Sequence, residues 1–307
     1  MEVLYIVIIV LISLIVFFFG IVLALARAVV KPRRYSMWLT KYIESKKGFF
    51  GNYDTIEKKE YLLKSYDDYL LHCVFVPAES DSNNYVIISH GQTYTRNGSV
   101  KYLHIFRELG FNVIIYDDRS HGENKRSYVS MGIRESQDLI CLINDTYNKY
   151  GKDINLGLHG ESMGTGLSIM SLKYNPKLKF IIADCGYADM EILLTDVLKS
   201  KHLPIFMLNL ACKVANSLYG VDLLSIRPID CLKESKVPIC YIHGKKDKLV
   251  NCKHSQMMYD VTKGYKELHL IEKADHAQSY QVDKVAYKEI ITRFLGNIQK
   301  GETNGKH

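Results

Sequence analysis

The pattern of apolar positions divides the chain into an amino-terminal segment and a longer region of alternating elements. Residues 3–26 carry no charged side chain and consist almost wholly of Ile, Leu, Val, Phe and Ala. A helix rises about 1.5 Å per residue, so this segment is long enough to cross a bilayer with some tilt. From residue 56 onward, short apolar runs alternate with amphipathic stretches. That alternation predicts a mostly parallel sheet with crossover helices.

The apolar runs predict an α/β domain with an eight-stranded sheet flanked by helices over residues 56–298. The expected strands lie at residues 61–65, 69–76, 85–89, 112–116, 154–159, 179–183, 238–242 and 267–271. Amphipathic periodicity predicts helices near residues 100–109, 135–150 and 284–294. The first two strands are expected to form an antiparallel hairpin, because only a short polar turn separates them.

Three segments depart from this alternation. Residues 187–226 show two helical patterns with no strand between them, and residues 205–215 are more apolar than their surroundings. We expect this insertion to form a lid over the site and a wall for the substrate, with an ordinary core helix as the alternative. Residues 31–55 are expected to form a basic juxtamembrane connector, and the polar residues 299–307 are expected to form a disordered tail.

Two interpretations fit the apolar amino-terminal segment. The Ala-Leu-Ala sequence at residues 24–26 resembles a cleavage site, which would make the segment a signal peptide. However, the apolar run is longer than a signal sequence requires, and no basic residue precedes it. We therefore expect residues 1–30 to form a single-pass membrane anchor. Four basic residues follow the span closely: Arg27, Lys31, Arg33 and Arg34. The positive-inside rule then places the large domain in the cytoplasm.

Charge and cysteine content narrow the compartment and the partners. The net charge is +7, and basic residues cluster in the connector, where anionic lipid headgroups attract them. No nucleic-acid-binding motif is visible, so nucleic acid is not an expected partner. The seven cysteines are scattered through apolar stretches, which is typical of reduced thiols. No metal-ligand spacing or cofactor motif stands out, so we expect neither a metal nor a cofactor. The oligomeric state stays open.

Ser162 lies in a Gly-x-Ser-x-Gly pattern that follows an apolar strand and precedes a helical stretch. A serine on a sharp strand-to-helix turn is presented for nucleophilic attack, and the strained turn leaves no room for side chains two positions away. Gly160 and Gly164 supply that room. The context indicates a nucleophile elbow; a glycine-rich turn with an inert serine is the alternative.

A nucleophilic serine needs a histidine to accept its proton, and that histidine needs a carboxylate to orient it. His276 follows the last predicted strand and precedes the last helix, which is the position expected for the base. His243 and His254 are competing candidates. Asp247, in the loop after the penultimate strand, is the expected acid, and Asp184, at the end of the preceding strand, is its rival.

The oxyanion of a tetrahedral intermediate requires backbone N–H donors. One donor is expected from Met163, immediately after the nucleophile, and a second from Gln92 in the loop after an earlier strand. Gly91 allows that loop to turn closely, and His90 is expected to support the loop rather than to act in catalysis.

This ordered set of motifs resembles the α/β-hydrolase superfamily over residues 56–297, and most closely its lysophospholipase-like, monoacylglycerol-lipase-like and proline-iminopeptidase-like serine hydrolases. Members often read Asp-x-Arg-Gly-His-Gly where this chain reads Asp-Asp-Arg-Ser-His-Gly at residues 117–122, so Ser120 replaces a glycine. Within this motif we expect Asp118 and Arg119 to pair locally. The apolar segment is similar to that of membrane-anchored bacterial members. The resemblance implies hydrolysis of an ester, thioester or amide through an acyl-enzyme.

The leading hypothesis is a membrane-anchored serine hydrolase that cleaves a carboxylic ester, either a small-molecule acyl ester or a lipid. Peptidase, thioesterase and acyltransferase activities use the same triad and are the alternatives. A peptidase of this type needs an acidic group for the substrate amine, and Glu191 and Asp196 in the predicted lid are candidates. A non-catalytic scaffold is expected to lack a triad member, and all three are present in the sequence.

Overall fold

A single sheet forms the centre of the domain in the computed structural model, which describes residues 1–304 and the side chains of residues 1–301. Its strands are β1 (Lys59–Lys64), β2 (Leu70–Val76), β3 (Asn84–Ser89), β4 (Asn112–Tyr116), β5 (Asn155–Glu161), β6 (Phe180–Asp184), β7 (Ile239–Gly244) and β8 (Lys266–Ile271). They lie in the order β1-β2-β4-β3-β5-β6-β7-β8. β2 pairs antiparallel with β1 and with β4, and the other neighbours are parallel. The predicted eight-stranded, mostly parallel sheet is confirmed.

Helices connect these strands and precede them. They are α1 (Glu2–Val30), α2 (Met37–Lys46), α3 (Val100–Glu108), α4 (Glu135–Tyr150), α5 (Met163–Met170), α6 (Met190–Ser200), α7 (Phe206–Tyr219), α8 (Lys253–Val261), α9 (Ser279–Val282) and α10 (Lys284–Asn304). Short 3-10 helices occur at Arg96–Ser99, Ser171–Tyr174, Leu223–Ser225 and Pro228–Leu232. The predicted helices at residues 100–109 and 135–150 correspond to α3 and α4.

Both faces of the sheet are covered, because its central strands are apolar at nearly every position. Ile87 and Leu158 point into a core that includes residues of α4 and α5. Val86 and Ile88 point into a second core on the opposite face, built with α3 and α10. Because helices cover both faces, a ligand can reach the sheet only at the ends of its strands. In open α/β sheets, ligand sites form in the loops at the carboxyl ends of the parallel strands.

The carboxyl-terminal part of α1 belongs to the folded domain. Val22, Ala26 and Val30 recur along one face and are buried in the same core as the sheet, whereas nearly all the residues before Phe18 are exposed. The carbonyl of Val30 accepts a hydrogen bond from the Val129 N–H at 2.8 Å. The apolar segment thus has an exposed half and a docked half.

The segment at residues 31–55 is more ordered than a connector. Ser36 caps α2 by accepting a hydrogen bond from the Leu39 N–H at 3.1 Å. Phe50 and Tyr53 are buried against the core that contains α3 and α10. These aromatic residues bury apolar surface against the core, and this burial holds the segment on the domain.

The insertion at residues 187–226 contains α6 and α7 with no strand between them, as predicted. Asp189 caps α6 by accepting hydrogen bonds from two backbone amides, those of Glu191 and Ile192, at 2.8 and 3.2 Å. Gly220 ends α7 in the left-handed conformation with φ of 63°. Burial of Met207, Ala211 and Ala215 on one face of α7 explains the apolar run that singled this helix out.

The carboxyl-terminal helix is longer than expected. α10 continues from Lys284 to Asn304, whereas the sequence predicted a disordered tail from residue 299. Leu295 and Ile298 pack against the core and extend the amphipathic pattern beyond Phe294, which explains the longer helix. Residues 305–307 of the predicted tail lie outside the described residues.

Candidate active site

Ser162 occupies the sharp turn between β5 and α5. Its φ of 55° and ψ of −112° are rare for a residue with a side chain, so the turn is strained. A Cβ at Gly160 would lie 2.3 Å from the Gly164 carbonyl oxygen, and a Cβ at Gly164 would lie 2.2 Å from the Ser89 carbonyl oxygen. Both glycines are therefore required by close backbone approach, as the motif predicts.

A chain of hydrogen bonds joins Ser162, His276 and Asp247. His276 Nε2 lies 2.9 Å from Ser162 Oγ, and His276 Nδ1 lies 2.7 Å from Asp247 Oδ2. These residues come from the β5–α5 turn, the loop after β8 and the loop after β7, which all lie at the carboxyl end of the sheet. The structure thus brings together the three residues expected from the order of the motifs.

The Asp247 carboxylate is fixed from several sides. Oδ1 accepts hydrogen bonds from the N–H groups of Leu249 and Val250 at 2.9 and 2.8 Å, and Oδ2 lies 3.2 Å from His243 Nε2. Burial opposes ionisation, but the hydrogen bonds with His243 and His276 outweigh it and hold the pKa of Asp247 well below its usual range. Burial also opposes charging of His276, yet the hydrogen bond and charge of Asp247 raise its pKa above 6.5. This pairing makes the imidazole a better proton acceptor.

The two competing histidines have other partners. His243 is buried, its Nδ1 lies 2.7 Å from Ser255 Oγ, and its Nε2 contacts the same oxygen of Asp247 that His276 contacts, so this ring helps to hold the carboxylate. His254 Nδ1 accepts a hydrogen bond from the Ala188 N–H at 3.2 Å, and burial lowers its pKa to about 4. Both are structural partners of neighbouring loops in the described part of the chain.

The expected oxyanion donors flank Ser162. Met163 is the first residue of α5, where backbone N–H groups have no intrahelical acceptor. Gln92 lines the cleft in front of Ser162, and a Cβ at the adjacent Gly91 would lie 3.6 Å from Ser162 Cβ. His90 Nδ1 lies 2.8 Å from the Gly91 carbonyl oxygen, while its Nε2 accepts from the Asp118 N–H at 3.0 Å. The ring of His90 therefore holds the loop.

A buried network of charged and polar side chains, which was not predicted from the sequence, includes the residue immediately before Ser162. Lys101 Nζ lies 2.5 Å from Glu161 Oε2, and the Tyr102 hydroxyl donates to the same oxygen at 2.5 Å. Asp184 Oδ2 lies 3.1 Å from the Tyr102 hydroxyl. Burial and the charge of Glu161 raise the pKa of Asp184 to about 6. Asp184, the alternative candidate for the catalytic acid, thus belongs to this network. In the sequence, the only indication of the network was an acidic residue at the end of an apolar strand.

A cleft of about 350 Å³ opens in front of Ser162. Its walls include Gln278 and Gln281 from the loop and short helix after β8, and Lys47 from the end of α2. In the part of the chain that the structure describes, no residue of the insertion at 187–226 lines this cleft, although the insertion was expected to form its wall. α7 instead packs against α1, and the apolar residues of α6 and α7 are buried in the core, which explains the difference.

The loop at residues 117–122 differs from the local pairing expected for it. Arg119 forms ion pairs with Asp67 at 2.7 Å and Asp138 at 2.6 Å, both far away in sequence, whereas Asp118 is buried beside His90. Ser120, at the position where members of the superfamily often have glycine, adopts a φ of 73°. Its Oγ accepts from the N–H of a residue across the loop at 2.8 Å, which offsets the strain of the left-handed conformation.

One group of side chains has the composition of a metal site. Potential ligand atoms of Cys185, Asp247 and His276 all lie within 4.8 Å of one another. Cys185 is fully buried, and burial raises the pKa of its thiol well above the ordinary value. Because Asp247 and His276 are already hydrogen-bonded to each other, the geometry fits a proton-transfer chain better than a metal centre.

Solved structures with the same architecture include hydrolases of more than one substrate class. The esterase Pf2001 of Pyrococcus furiosus has a TM-score of 0.66 and 22% identity, over 88% of this chain and 97% of the esterase. The acylaminoacyl peptidase of Pyrococcus horikoshii has a TM-score of 0.60 and 16% identity, over 81% of this chain and 42% of the peptidase. Both similarities show that this chain shares the fold of these hydrolases.

Sequence comparison resolves the family within that fold. The uncharacterized protein YqkD of Bacillus subtilis (strain 168) is 30% identical over 253 residues, which cover 81% of this chain and 83% of YqkD. The profile of the prolyl oligopeptidase family matches residues 99–301, which include the whole Ser162–His276–Asp247 arrangement. These matches, together with the fold, show that the chain belongs to the prolyl oligopeptidase family and is a hydrolase.

Proposed function

We propose that the chain is a membrane-anchored serine hydrolase that cleaves a carboxylic ester through an acyl-enzyme on Ser162. The observation that carries this proposal is the continuous hydrogen-bond chain from Ser162 Oγ through His276 to Asp247. Its distances lie in the range required of a nucleophile and its general base.

The arrangement supports the usual two-step acyl transfer. His276 Nε2 accepts the Ser162 proton while Oγ attacks the ester carbonyl carbon, and the resulting oxyanion is held by the N–H groups of Gln92 and Met163. His276 then donates the proton to the departing alcohol, leaving an acyl-serine. In the second step His276 takes a proton from water as the water oxygen attacks the acyl carbon. The bond from that carbon to Ser162 Oγ then breaks, His276 returns the proton to Oγ, and the carboxylic acid is released. Asp247 stabilises the imidazolium in both steps.

The charges around the cleft favour an ester substrate over a peptide substrate that is recognised by its free amino group. Recognition of a substrate amine requires an available carboxylate, but Glu161 is engaged by Lys101. Asp196 pairs with Lys253 at 2.6 Å, and neither it nor Glu191 lines the cleft. Because an unpaired acid is missing from the lining that the structure describes, we place a neutral or anionic acyl ester ahead of an aminoacyl peptide.

The family match itself supports a second candidate, a peptidase with the same nucleophile. The distinguishing experiment compares purified protein on p-nitrophenyl acyl esters of graded chain length and on aminoacyl-β-naphthylamides. We expect ester turnover that is lost in Ser162→Ala, with an unchanged thermal unfolding profile. Amide turnover without ester turnover would overturn the ester assignment, and a fully active Ser162→Ala would overturn the nucleophile.

The membrane anchor is supported by the exposure of the first half of α1. Residues 2–30 form one helix with a mean hydropathy of 3.5 in its most apolar window, and only 6% of that window is buried. Cleavage at a signal-peptide site near Ala26 would remove Val22 and Ala26 from the core that they help to form. We therefore propose that the protein is anchored in the membrane, and the basic residues that follow the span favour a domain on the cytoplasmic side. Resistance to carbonate extraction, with the domain accessible only from the cytoplasmic side, is the expected result; extraction by carbonate would overturn it.

A further inference from the structure

α7 lies alongside α1 in a parallel arrangement. At one end the ring of Phe206 stacks on Phe18 with a centroid distance of 6.0 Å, and at the other end Lys31 Nζ lies 5.0 Å from the centroid of the Tyr219 ring. The same number of residues separates the two contacts in α1 and in α7. Each residue of α7 therefore lies beside a corresponding residue of α1. The amino-terminal end of α7 therefore lies at the level of Phe18.

That level falls within the part of α1 that a bilayer must cover. The hydrocarbon core is about 30 Å thick, which corresponds to roughly 20 helical residues. A span that starts near Val3 then ends beyond Phe18, close to the first docked residue, Val22. Because α7 begins beside Phe18, its first turn reaches the membrane boundary on the side of the domain.

The turn between α6 and α7 has the chemistry of a membrane-contact surface. Residues 197–208 contain no acidic side chain. Ile205 and Phe206 are 49% and 60% exposed at the apolar end of the turn, and Lys199 and Lys201 are exposed at its other end. Exposed apolar side chains beside lysines suit the boundary between acyl chains and anionic headgroups.

We propose that the tip of the α6–α7 hairpin, residues 199–206, inserts into the membrane that α1 crosses. Ile205 and Phe206 enter the apolar layer, while Lys199 and Lys201 extend to anionic lipid headgroups. The inference rests on the proposed anchor, and it adds a second contact that links the insertion of the hydrolase domain to the bilayer surface.

The experiment uses the sole tryptophan of the chain, Trp38. In a full-length Trp38→Phe background, Phe206→Trp places one fluorophore at the tip and retains an aromatic ring against Phe18. Tyr174→Trp in the same background is the matched control, because Tyr174 is 42% exposed near the opposite, amino-terminal edge of the parallel strands. Each protein is reconstituted into vesicles of brominated phosphatidylcholine with or without phosphatidylglycerol.

We expect the bromine atoms to remove most of the emission of the Phe206→Trp protein and little of that of the control. The loss is expected to be greater with phosphatidylglycerol present, and equal losses in both vesicle types would overturn the role of the lysines. Emission unaffected by bromine would overturn the insertion of the tip, and a blue shift without quenching would indicate contact with a second protein copy instead. Flotation of the same vesicles separates the two proposals, because protein that floats without quenching retains the anchor and loses only the tip contact.

Discussion

Lys101 and Glu161 form an ion pair beneath the nucleophile, with Nζ 2.5 Å from Oε2 and both side chains at least nine-tenths buried. Glu161 immediately precedes Ser162, so this pair fixes the end of β5 from which the elbow turns. The backbone strain at Ser162 can persist only if the surrounding structure holds the turn in place, and the ion pair is part of that support.

Breaking this pair from one side is expected to destabilise the domain. Glu161→Gln leaves the Lys101 ammonium buried without its counter-charge, which costs about 3–5 kcal/mol. Thermal or denaturant unfolding in detergent measures the loss. In the double variant Glu161→Gln/Lys101→Met the buried charge is gone, so most of the stability is expected to return. A single variant as stable as the unmodified protein would contradict this account.

Ester hydrolysis is expected to fall at low pH with a midpoint above pH 6.5. His276 must be neutral to accept the Ser162 proton, and the hydrogen bond and charge of Asp247 raise its pKa above that value. The measurement is kcat/KM for a soluble ester as a function of pH. Glu161→Gln removes a second negative charge that favours the imidazolium, so its midpoint is expected at lower pH than in the unmodified protein. A midpoint below pH 6.5 in the unmodified protein would count against the His276–Asp247 pairing.

Removing the orienting acid is expected to lower kcat by about 10⁴-fold. Asp247→Asn retains the shape of the side chain but no longer stabilises an imidazolium at His276. His243 also contacts Asp247, so His243→Gln serves as a comparison, and we expect it to cause a much smaller loss because this ring does not touch Ser162. Similar losses in the two variants would show that support of Asp247 by His243 is as important as the carboxylate itself.

The proposed second oxyanion donor is the backbone N–H of Gln92, so it can be tested separately from the Gln92 side chain. Gln92→Ala keeps the N–H and removes only the side chain, whose Nε2 donates to the Val29 carbonyl at 3.1 Å. Gln92→Pro removes the N–H itself and is expected to cost about 10²–10³-fold in kcat, whereas Gln92→Ala stays within a small factor of the unmodified protein. Unfolding midpoints of both variants show whether the proline variant folds. Equal activity of two folded variants would exclude the Gln92 amide.

Replacing glycine by alanine is expected to have opposite effects at a position with no space for a Cβ and at a position with open space around it. At Gly164 a Cβ would lie 2.2 Å from the Ser89 carbonyl oxygen, so Gly164→Ala is expected to displace the elbow and abolish activity. A Cβ at Gly296, within α10, would meet no atom of the described residues within 4 Å, so Gly296→Ala is expected to raise stability by about 0.5–1 kcal/mol. Unfolding and esterase assays on both variants check the pair, and an active Gly164→Ala would show that the backbone can yield.

Local sequence was sufficient to predict the strands of the sheet and the sharp turn at Ser162. Buried parallel strands are apolar on both faces, so β3 to β7 stand out as short apolar runs. The Gly-x-Ser-x-Gly spacing reflects close approach of the backbone two residues on either side of Ser162. Asp247 and His276 could be chosen because the fold requires them in loops after particular strands.

Tertiary structure decided the features that depend on partners distant in sequence. Arg119 pairs with Asp67 and Asp138 rather than with its neighbour Asp118, because its guanidinium reaches carboxylates that the fold brings to it. The connector is held by aromatic residues whose burial sites exist only once α3 and α10 have packed.

The sequence by itself determined the strand order along the chain, the Gly-x-Ser-x-Gly turn and the apolar amino-terminal helix, because each depends on residues within a few positions of one another. Only the tertiary structure decided that Lys101 neutralises Glu161, that α2 borders the cleft and that the insertion lies along α1 instead of lining the site. Such contacts arise from the three-dimensional packing of amphipathic surfaces, and hydrophobic periodicity specifies that a face is buried but not which surface buries it.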